Sequence, residues 1–593
     1  MKHKFILLAI LTIVLVGVAC TAAPTPAPTA APPTAAPKPT DAPKPTEAPK
    51  PTQAPQPTAA AKPTDAPKPT EAPKPTVAPT QPPAARSGGV LRIAQNATDL
   101  NNLDPHYATT TQDRSIVDMV FNALVRYKPG DGSVFEPDLA TELPEPKIVG
   151  GKQEWTFNLR KGAMCQPTDG VPAYELTSED VVYSLTKSAN KDRSAYAGDY
   201  TGMTFEAVNP STVKITLDNP ISKNLFYPRV ANYSGGFIVC KKAAEKLGAD
   251  KMKTMPVGTG PFMFKSYTAQ DKIVLVANDS YFRGKPQLDG VEVRFMADLT
   301  SRELGLRGGQ LDVINGAPDK AWVDKMKPVQ NVQVDVFGVG EVATMYFNLN
   351  IPPMDKLPVR QAIAYALSRD EFLAFVGPTI GENVYSVVPA KFLAGGLTEQ
   401  EAKAKGLDFT TDLAKAKKLL ADAGYPNGFN LKLVTSEMTG YKVLYESLQA
   451  QLAKIGIKAD VQVIDHTSFH NTIRQDANAL VVYIAWRPNA DAYLTRFLHS
   501  DSIIITGKKP DTNFVHYNKI DKLIDQARVE LDATKQVDLW KQAQIQVLED
   551  MVAFPIQYQN QVYARAKTVD YGHDLKSVLA LYPGVDEKTK FVK

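Results

Sequence analysis

Two histidines, His466 and His470, have the spacing that could bring a metal ion to one face of a helix. Residues four apart lie on the same side of an α-helix, and imidazole nitrogens are common zinc ligands. No third ligand stands close in the sequence, so we interpret them as a surface pair. The chain also lacks a His-Glu-x-x-His motif, a serine nucleophile elbow and a phosphate-binding Gly-Lys-Ser/Thr loop. We therefore predict no metal, no cofactor and no catalysis, and keep a secreted hydrolase only as an alternative.

The chain has only three cysteines, Cys20, Cys165 and Cys240. Cys20 follows a short apolar segment at the N-terminus, whereas the other two lie in the body of the chain. In an oxidising exterior Cys165 and Cys240 could form a disulfide. Two separate buried thiols are the alternative, and sequence spacing alone does not decide between them.

The N-terminus has the pattern of a secretory signal. Lys2 and Lys4 precede an apolar run that extends from Phe5 to Val16. This run is shorter than the roughly 20 residues of a membrane-spanning helix. The following Gly17-Val18-Ala19-Cys20 resembles a bacterial lipobox, except that Gly17 replaces the usual leucine. We expect a signal peptide over residues 1–19 and lipidation of Cys20; an ordinary cleaved signal is the alternative.

Residues 20–87 are expected to form a tether. From Thr21 to Pro83 the sequence is almost entirely Pro, Ala, Thr and Lys, with a few acids and a recurring Ala-Pro-Lys-Pro-Thr unit. Such a composition cannot bury a core, and frequent prolines favour the extended polyproline II conformation. The segment is predicted to be a disordered, Pro/Thr/Lys-rich linker.

The remaining chain, about 500 residues, is long enough for two or three lobes. The formal net charge is +4 and acids are interspersed with bases, so no basic stripe points to nucleic acid. No second apolar run is long enough to span a membrane.

Alternating and helical apolar patterns predict the elements that must position any site. Strands are predicted at 89–94, 155–160, 213–217, 272–277, 291–295, 429–434 and 459–463. Helices are predicted at 115–125, from Thr177 onward, after Pro358, and at 412–423, 441–455, 520–531 and 537–551. The strand–helix–strand order over 429–463 predicts a right-handed parallel crossover, so the fold class is α/β.

Several sequence blocks occur in the order found in one known family. The blocks are Asn102-Leu103-Asp104-Pro105-His106, Trp155 to Gly162 with Thr177 to Tyr183, Pro256 to Phe262, Tyr281 to Pro286 with Leu288 to Gly290, Phe347-Asn348 to Pro353, Val359 to Ile363, Ala421 to Phe429, and Tyr517-Asn518. Each block is weak alone, but their shared order is strong. The chain resembles the large solute-binding proteins of ABC importers, of the peptide- and nickel-binding class. Within these blocks, Gly258 and Gly260 are expected to allow a tight turn.

The resemblance implies a two-lobed, periplasmic-binding-protein-like α/β fold of type II, in the large class with an extra domain. Its ligand cleft lies between the lobes, which close about a hinge. We expect lobe 1 to comprise residues 88–134, 256–340 and 556–593. The extra domain is expected over 135–255 and lobe 2 over 341–555.

The resemblance also implies a ligand site. Peptide-binding relatives place a Trp in the cleft, followed closely by an Asp that receives the peptide amino group. Here Trp486 matches, Asn489 stands at the position of that Asp, and Asp491 comes two residues later. An amide lacks the charge that holds an ammonium, which leaves room for a neutral ligand. The candidate ligand-binding residues are Trp486, Arg487, Asn489, Asp491, Tyr107, Tyr233 and Tyr346. A core position is the alternative for Trp486.

We therefore expect the extracellular substrate-binding component of an ABC importer that captures an oligopeptide. Alternatives within the class are an oligosaccharide, whose rings would stack on aromatic side chains, or a nickel complex, for which His106 is the residue to watch. A surface sensor or adhesion module with the same fold is a further alternative. The expected partners are the permease and ATPase subunits and the membrane, reached through the lipid anchor. We expect a monomer at the outer face of the cytoplasmic membrane.

Overall fold

The computed structural model describes residues 88–233, 235–576 and 581–592. The expected signal peptide, Cys20 and the proline-rich linker lie outside these residues. Within the part that the structure describes, no helix is both long enough and apolar enough to cross a bilayer.

The predicted helices are all present, although the first of them ends at Val120, short of the predicted bound at 125, and Val125 already begins a strand. The helices of the structure are α1 Thr111–Val120, α2 Ser178–Ser188, α3 Lys223–Val230, α4 Lys241–Met252, α5 Leu299–Arg307, α6 Lys320–Met326, α7 Leu357–Ala366, α8 Arg369–Val376, α9 Glu399–Ala404, α10 Leu413–Asp422, α11 Thr439–Ala453, α12 His466–Ile473, α13 Ala490–Leu498, α14 Asp521–Val529 and α15 Ala533–Glu549. The capping residue predicted before α2 is Thr177, which forms a reciprocal capping box with Asp180.

The strands likewise include every strand predicted from alternation. They are β1 Val90–Gln95, β2 Val125–Lys128, β3 Asp131–Pro137, β4 Lys147–Val149, β5 Lys152–Asn158, β6 Met164–Cys165, β7 Tyr174–Glu175, β8 Met203–Asn209, β9 Thr212–Leu217, β10 Phe262–Thr268, β11 Lys272–Ala277, β12 Gly290–Phe295, β13 Val313–Asn315, β14 Val332–Phe347, β15 Gly381–Asn383, β16 Asn430–Ser436, β17 Lys458–Ile464, β18 Leu480–Ala485, β19 Ala553–Ala566, β20 Val569–Asp570 and β21 Lys590–Phe591.

One mixed sheet extends through the residue ranges expected to form the two lobes, and the names lobe 1, extra domain and lobe 2 denote those expected ranges throughout. Its strand order is β10-β11-β12-β1-β13-β19-β14-β18, with β15 also paired to β19. β1 is parallel to both β12 and β13, whereas β14 is antiparallel to β19 and β18. The predicted crossover is confirmed, since β16 and β17 pair in parallel with α11 between them.

The long strands β14 and β19 carry the chain between the two lobes. Their pairing extends from Val332–Ala566 to Tyr346–Ala553, with a break in register between Phe337 and Glu341. At this break Gly340 lies so close to the partner strand that a Cβ atom there would come within 1.8 Å of the Gln559 carbonyl oxygen. The interlobe connection is therefore a two-stranded ribbon with an irregularity at its centre.

The extra domain has its own antiparallel sheet, in the order β4-β5-β9-β8. Alternate residues of β5 face inward, and the ring of Trp155 stacks on Phe226 at a centroid distance of 3.9 Å. Cys165, at the end of β6, and Cys240, just before α4, are joined by a disulfide. The disulfide alternative that the sequence left open is the one present in the structure.

A buried polar network joins lobe 1 to the extra domain. The Lys187 ammonium on α2 is 2.7 Å from an oxygen of Asp104 and 3.1 Å from Nδ1 of His106. Nε2 of His106 lies 2.9 Å from the Phe237 carbonyl oxygen. Burial, together with the neighbouring Lys187 charge, lowers the pKa of His106 to about 3. His106 is thus a neutral interior residue whose two ring nitrogens are both engaged.

Gly258 and Gly260 have a different role from the one expected. Neither has a positive φ. A Cβ atom at either position would instead come within 2.3–2.5 Å of the backbone of Val120. These glycines are required by close backbone contact with the end of α1, not by a strained turn.

Candidate functional site

A cavity of about 510 Å³ lies where lobe 1, the extra domain and lobe 2 meet. Its wall combines α1 of lobe 1, the region from Ala195 to Tyr233 of the extra domain, and the segment from Tyr483 to Arg496 of lobe 2. The lining residues that matter for recognition are Arg114, Tyr196, Asp199, Arg229, Tyr233, Glu341, Tyr483, Trp486, Arg487, Asn489, Asp491 and Arg496.

Two aromatic residues form the apolar part of the wall. Trp486 follows directly after β18, and its ring meets that of Tyr233 edge to face at a centroid distance of 5.2 Å. Both residues are 8% exposed. The Arg114 guanidinium lies over the Tyr233 ring, 4.7 Å from its centroid. The structure thus places Trp486 and Tyr233 together on the cavity wall.

Arg229 and Asp199 bring opposite charges to the same side of the cavity. Burial lowers the pKa of Arg229, while Asp199 and Asp491 act in the opposite direction. Burial raises the pKa of the Asp199 carboxyl, opposed by Arg229 and Arg496. Neither side chain forms an ion pair or hydrogen bond with any of the described residues.

Asp491 lines the cavity from the first turn of α13. Its carboxylate accepts a hydrogen bond from Nε of Arg528 at 3.1 Å. Burial raises the pKa of Asp491, while Arg528 and Arg229 oppose the rise. The negative charge of Asp491 is therefore already partly neutralised by protein.

Asn489, at the position of the expected aspartate, is the N-cap of α13. Its side-chain oxygen accepts a hydrogen bond from the Ala492 backbone N–H at 2.9 Å. The neighbouring Arg487 donates to the Trp486 carbonyl oxygen at 2.7 Å, and its guanidinium lies 4.9 Å from the Phe497 ring centroid. Both residues line the cavity, but these groups are engaged with protein.

The Glu341 carboxylate also lines the cavity, and no protein group is bonded to it among the described residues. Burial raises the pKa of this carboxyl, and only Arg487 opposes the rise. Among the described residues, no hydrogen bond or ion pair reaches its oxygens.

Two of the predicted site residues lie elsewhere. Tyr346, on β14, is 2% exposed and stacks on Phe497 at 5.2 Å, so it belongs to the core of lobe 2. The hydroxyl group of Tyr107 donates to the Asp192 carbonyl oxygen at the surface, outside the cavity lining. Neither tyrosine is among the residues that line the cavity.

The predicted histidine pair does form on α12. Nε2 of His470 lies 3.1 Å from Nε2 of His466, and Nδ1 of His466 is 3.0 Å from the Ser436 hydroxyl oxygen. Burial is the main cause that lowers the pKa of His470 to about 4, and His466 and Arg474 add to it. Across the described ranges, no three His, Cys, Asp or Glu side chains come together as a metal site.

The charged residues of the wall other than Arg487 and Asp491 were missed by the sequence analysis. Arg229, Asp199 and Arg114 come from segments far from Trp486, and no local spacing connects them. Glu341 did carry a signal, because it is the one acid in the run from Val336 to Ala343, which otherwise consists of apolar residues and glycines. Together these residues form a cavity suited to a small ligand with an apolar part and charged groups.

The sequence profile of the bacterial extracellular solute-binding proteins, family 5, matches residues 134–503. The chain is 26% identical over 461 residues to the dipeptide-binding protein of Escherichia coli K12, covering 74% of this chain and 83% of that protein. It is 28% identical over 467 residues to heme-binding protein A of Haemophilus influenzae Rd, covering 74% and 81% respectively.

Solved structures are similar over most of the chain. The MoaA protein of A. tumefaciens R10, in complex with mannopinic acid, is 35% identical with a TM-score of 0.71; the match covers 86% of this chain and 100% of that one. The ABC transporter-associated periplasmic binding protein DppA of Helicobacter pylori, in complex with the peptide STSA, is 25% identical with a TM-score of 0.69 and covers 86% and 99%. These neighbours confirm the predicted two-lobed α/β fold.

Proposed function

Because the chain belongs to the bacterial extracellular solute-binding proteins of family 5, we propose that it captures a short oligopeptide between its lobes and delivers it to an ABC permease. The observation that carries this proposal is the interlobe cavity. It joins an aromatic wall, Trp486 with Tyr233, to charged groups of both signs. A peptide has matching parts: apolar side chains, an ammonium and a carboxylate.

The size of the cavity favours a short ligand. Its volume of about 510 Å³ lies within the range of roughly 300–1,000 Å³ that is typical of small-molecule sites. Relatives described as binding dipeptides, di- or tripeptides and glutathione support the same size class.

Capture and release follow from movement of the lobes. β14 and β19 connect them, and the Tyr233 ring of the extra domain meets the Trp486 ring of lobe 2 across the cleft. A ligand that contacts both sides favours the closed state over the open one, and only this difference can drive closure. Docking on the permease would then reopen the cleft, with ATP hydrolysed by separate subunits.

A second candidate ligand is a molecule of the mannopinic acid type. The relative in complex with mannopinic acid is 35% identical to this chain. The cavity also has four arginines, Arg114, Arg229, Arg487 and Arg496, which suit an anionic ligand.

The extracytoplasmic arrangement is also part of the proposal. A signal over residues 1–19 and a lipobox-like Cys20 support a lipid anchor, and the Pro-rich sequence to residue 87 supports a spacer between the membrane and the lobes. The lobe and extra-domain boundaries given above, and the monomeric state, remain proposals of the same kind.

Native mass spectrometry of the purified protein, followed by denaturation and analysis of what it releases, tests the ligand class. A series of short peptides supports the peptide proposal. Release of mannopinic acid or a related molecule supports the second candidate, and a hexose series overturns both. If nothing is released, thermal-shift screening with di- to pentapeptides decides: no stabilisation by any peptide contradicts the peptide proposal.

A further inference from the structure

Glu341 lies on the cavity wall at the point where the long strand β14 passes from lobe 1 to lobe 2. It begins the lobe 2 half of β14, directly after the break in register opposite Gln559. The next residue, Val342, pairs with Ala485 of β18, so Glu341 lies across from Trp486 at the end of that ladder. The carboxylate therefore lies on the cavity wall and at the interlobe connection.

Among the described lining acids, Asp199 and Glu341 form no ion pair or hydrogen bond, and of these two Glu341 is the one that lies beside Trp486 at the interlobe connection. Asp491 is bonded to Arg528, and Asp199 is opposed by both Arg229 and Arg496.

Arg487 is the cation whose charge opposes the raised pKa of Glu341. Its guanidinium bonds to the Trp486 carbonyl oxygen, stacks on Phe497, and forms no ion pair with Glu341.

An unpaired carboxylate in a closed cleft is unfavourable. Removing an ion from water without a partner destabilises the state that buries it. Glu341 keeps partial exposure in the structure, and closing the cleft around it without a ligand would reduce the water that remains at its carboxylate. A cationic group brought by a ligand would restore a partner and remove the penalty.

Resting on the proposed function, we propose that Glu341 binds the cationic group of the ligand, an ammonium or guanidinium, and that its unpaired carboxylate holds the empty cleft open. Glu341 thus takes the role of the expected aspartate that receives the ligand's cationic group. Asn489 does not fill this role, because its side chain caps α13. Glu341 also makes closure conditional on a ligand of the correct charge.

The first test needs no ligand. Fluorophores are attached at Asp279→Cys in lobe 1 and Lys442→Cys in lobe 2, both exposed positions, after bound molecules have been removed by unfolding and refolding. Energy transfer then reports the closed fraction of the empty protein. Glu341→Gln is expected to raise that fraction several-fold, whereas the same change at exposed Glu437 is expected to leave it at the wild-type value. An unchanged closed fraction in Glu341→Gln overturns the proposal.

The second test uses trialanine and N-acetyl-trialanine as probes in calorimetry. The wild type is expected to prefer the free amine by about 30-fold or more, as for a buried charge pair, and Glu341→Gln to lose most of that preference. A preference retained in the variant overturns the role of Glu341. If neither probe binds the wild type, the peptide proposal fails, and the closure measurement still decides whether Glu341 holds the empty cleft open.

Discussion

The rings of Tyr233 and Trp486 meet edge to face, with centroids 5.2 Å apart and an interplanar angle of 78°. Tyr233 comes from the extra domain and Trp486 from lobe 2, so this contact bridges the cleft. The two rings form a small apolar cluster of their own, apart from the larger cores. Such a contact can separate and reform without disturbing either core.

Replacing Trp486 should weaken ligand binding without unfolding lobe 2. Trp486→Ala removes both the ligand-facing ring and the partner of Tyr233, and we expect affinity for the released ligand to fall about tenfold or more. Calorimetry measures the affinity, and circular dichroism checks the fold. Tyr107→Phe, outside the cavity, is the control and should bind like wild type. Unchanged affinity in Trp486→Ala would contradict its placement.

The disulfide should stabilise the extra domain. Cys165 and Cys240 are separated by 75 positions, and linking them restricts the unfolded chain. We expect the double variant Cys165→Ala/Cys240→Ala to lose about 2–4 kcal/mol of unfolding free energy, measured by denaturant titration. Reductant should lower the stability of the wild type but not of the variant. Equal sensitivity of both proteins to reductant would argue against the bond.

His106 should make stability depend on pH in a defined window. Its folded pKa of about 3 lies below the ordinary value of about 6.5. Between these values the unfolded chain binds the extra proton, so this contribution is full above pH 6.5 and decreases as the pH falls toward 3.

Inside this pH window, the contribution of His106 to the free energy of unfolding changes by about 1.4 kcal/mol per pH unit. His106→Gln should therefore be less stable than the wild type at pH 7.5, and the difference should narrow at pH 4.5. Denaturant titrations at both pH values measure this difference in the free energy of unfolding. Other groups, such as Asp118, whose pKa burial raises to about 6, affect both proteins alike and cancel in the comparison. A difference that is constant with pH would rule out the titration of His106 as the cause.

Cys20 should control membrane association. If it carries the lipid, the mature protein sediments with membranes, whereas Cys20→Ser releases it into the soluble fraction. Immunoblots of the two fractions, made in a bacterial host that processes lipoproteins, measure the distribution. A Cys20→Ser protein that still sediments with membranes would contradict the anchor.

The sequence predicted elements well because their determinants are local. The alternation in Lys272–Ala277 and the cap Thr177 before α2 each depend on neighbouring residues, and the structure has both. The cavity depends on contacts between distant segments. Trp486 was found through family resemblance, whereas Arg229 and Asp199 come from segments that only the fold brings together.

Tyr346 shows a second limit of the sequence, which does not tell which face of a strand meets a cavity. An aromatic residue on a strand looks the same in sequence whether its face of the sheet meets a cavity or a helix. Here α13 supplies Phe497, which covers Tyr346. Asn489 shows a third limit, since the same position can bind a ligand or cap a helix, and the chain uses its side chain for the cap.

The paired strands β14 and β19 have a mechanical consequence. Both passages between the proposed lobes are hydrogen-bonded to each other on either side of the register break. We expect the ribbon to bend as one unit that twists near the register break at Gly340. Its paired backbone amides should then stay protected from hydrogen exchange, and its peptide bonds from proteases, while the lobes move. The lobes can thus open and close repeatedly while the strands that connect them stay paired and inaccessible to extracellular proteases.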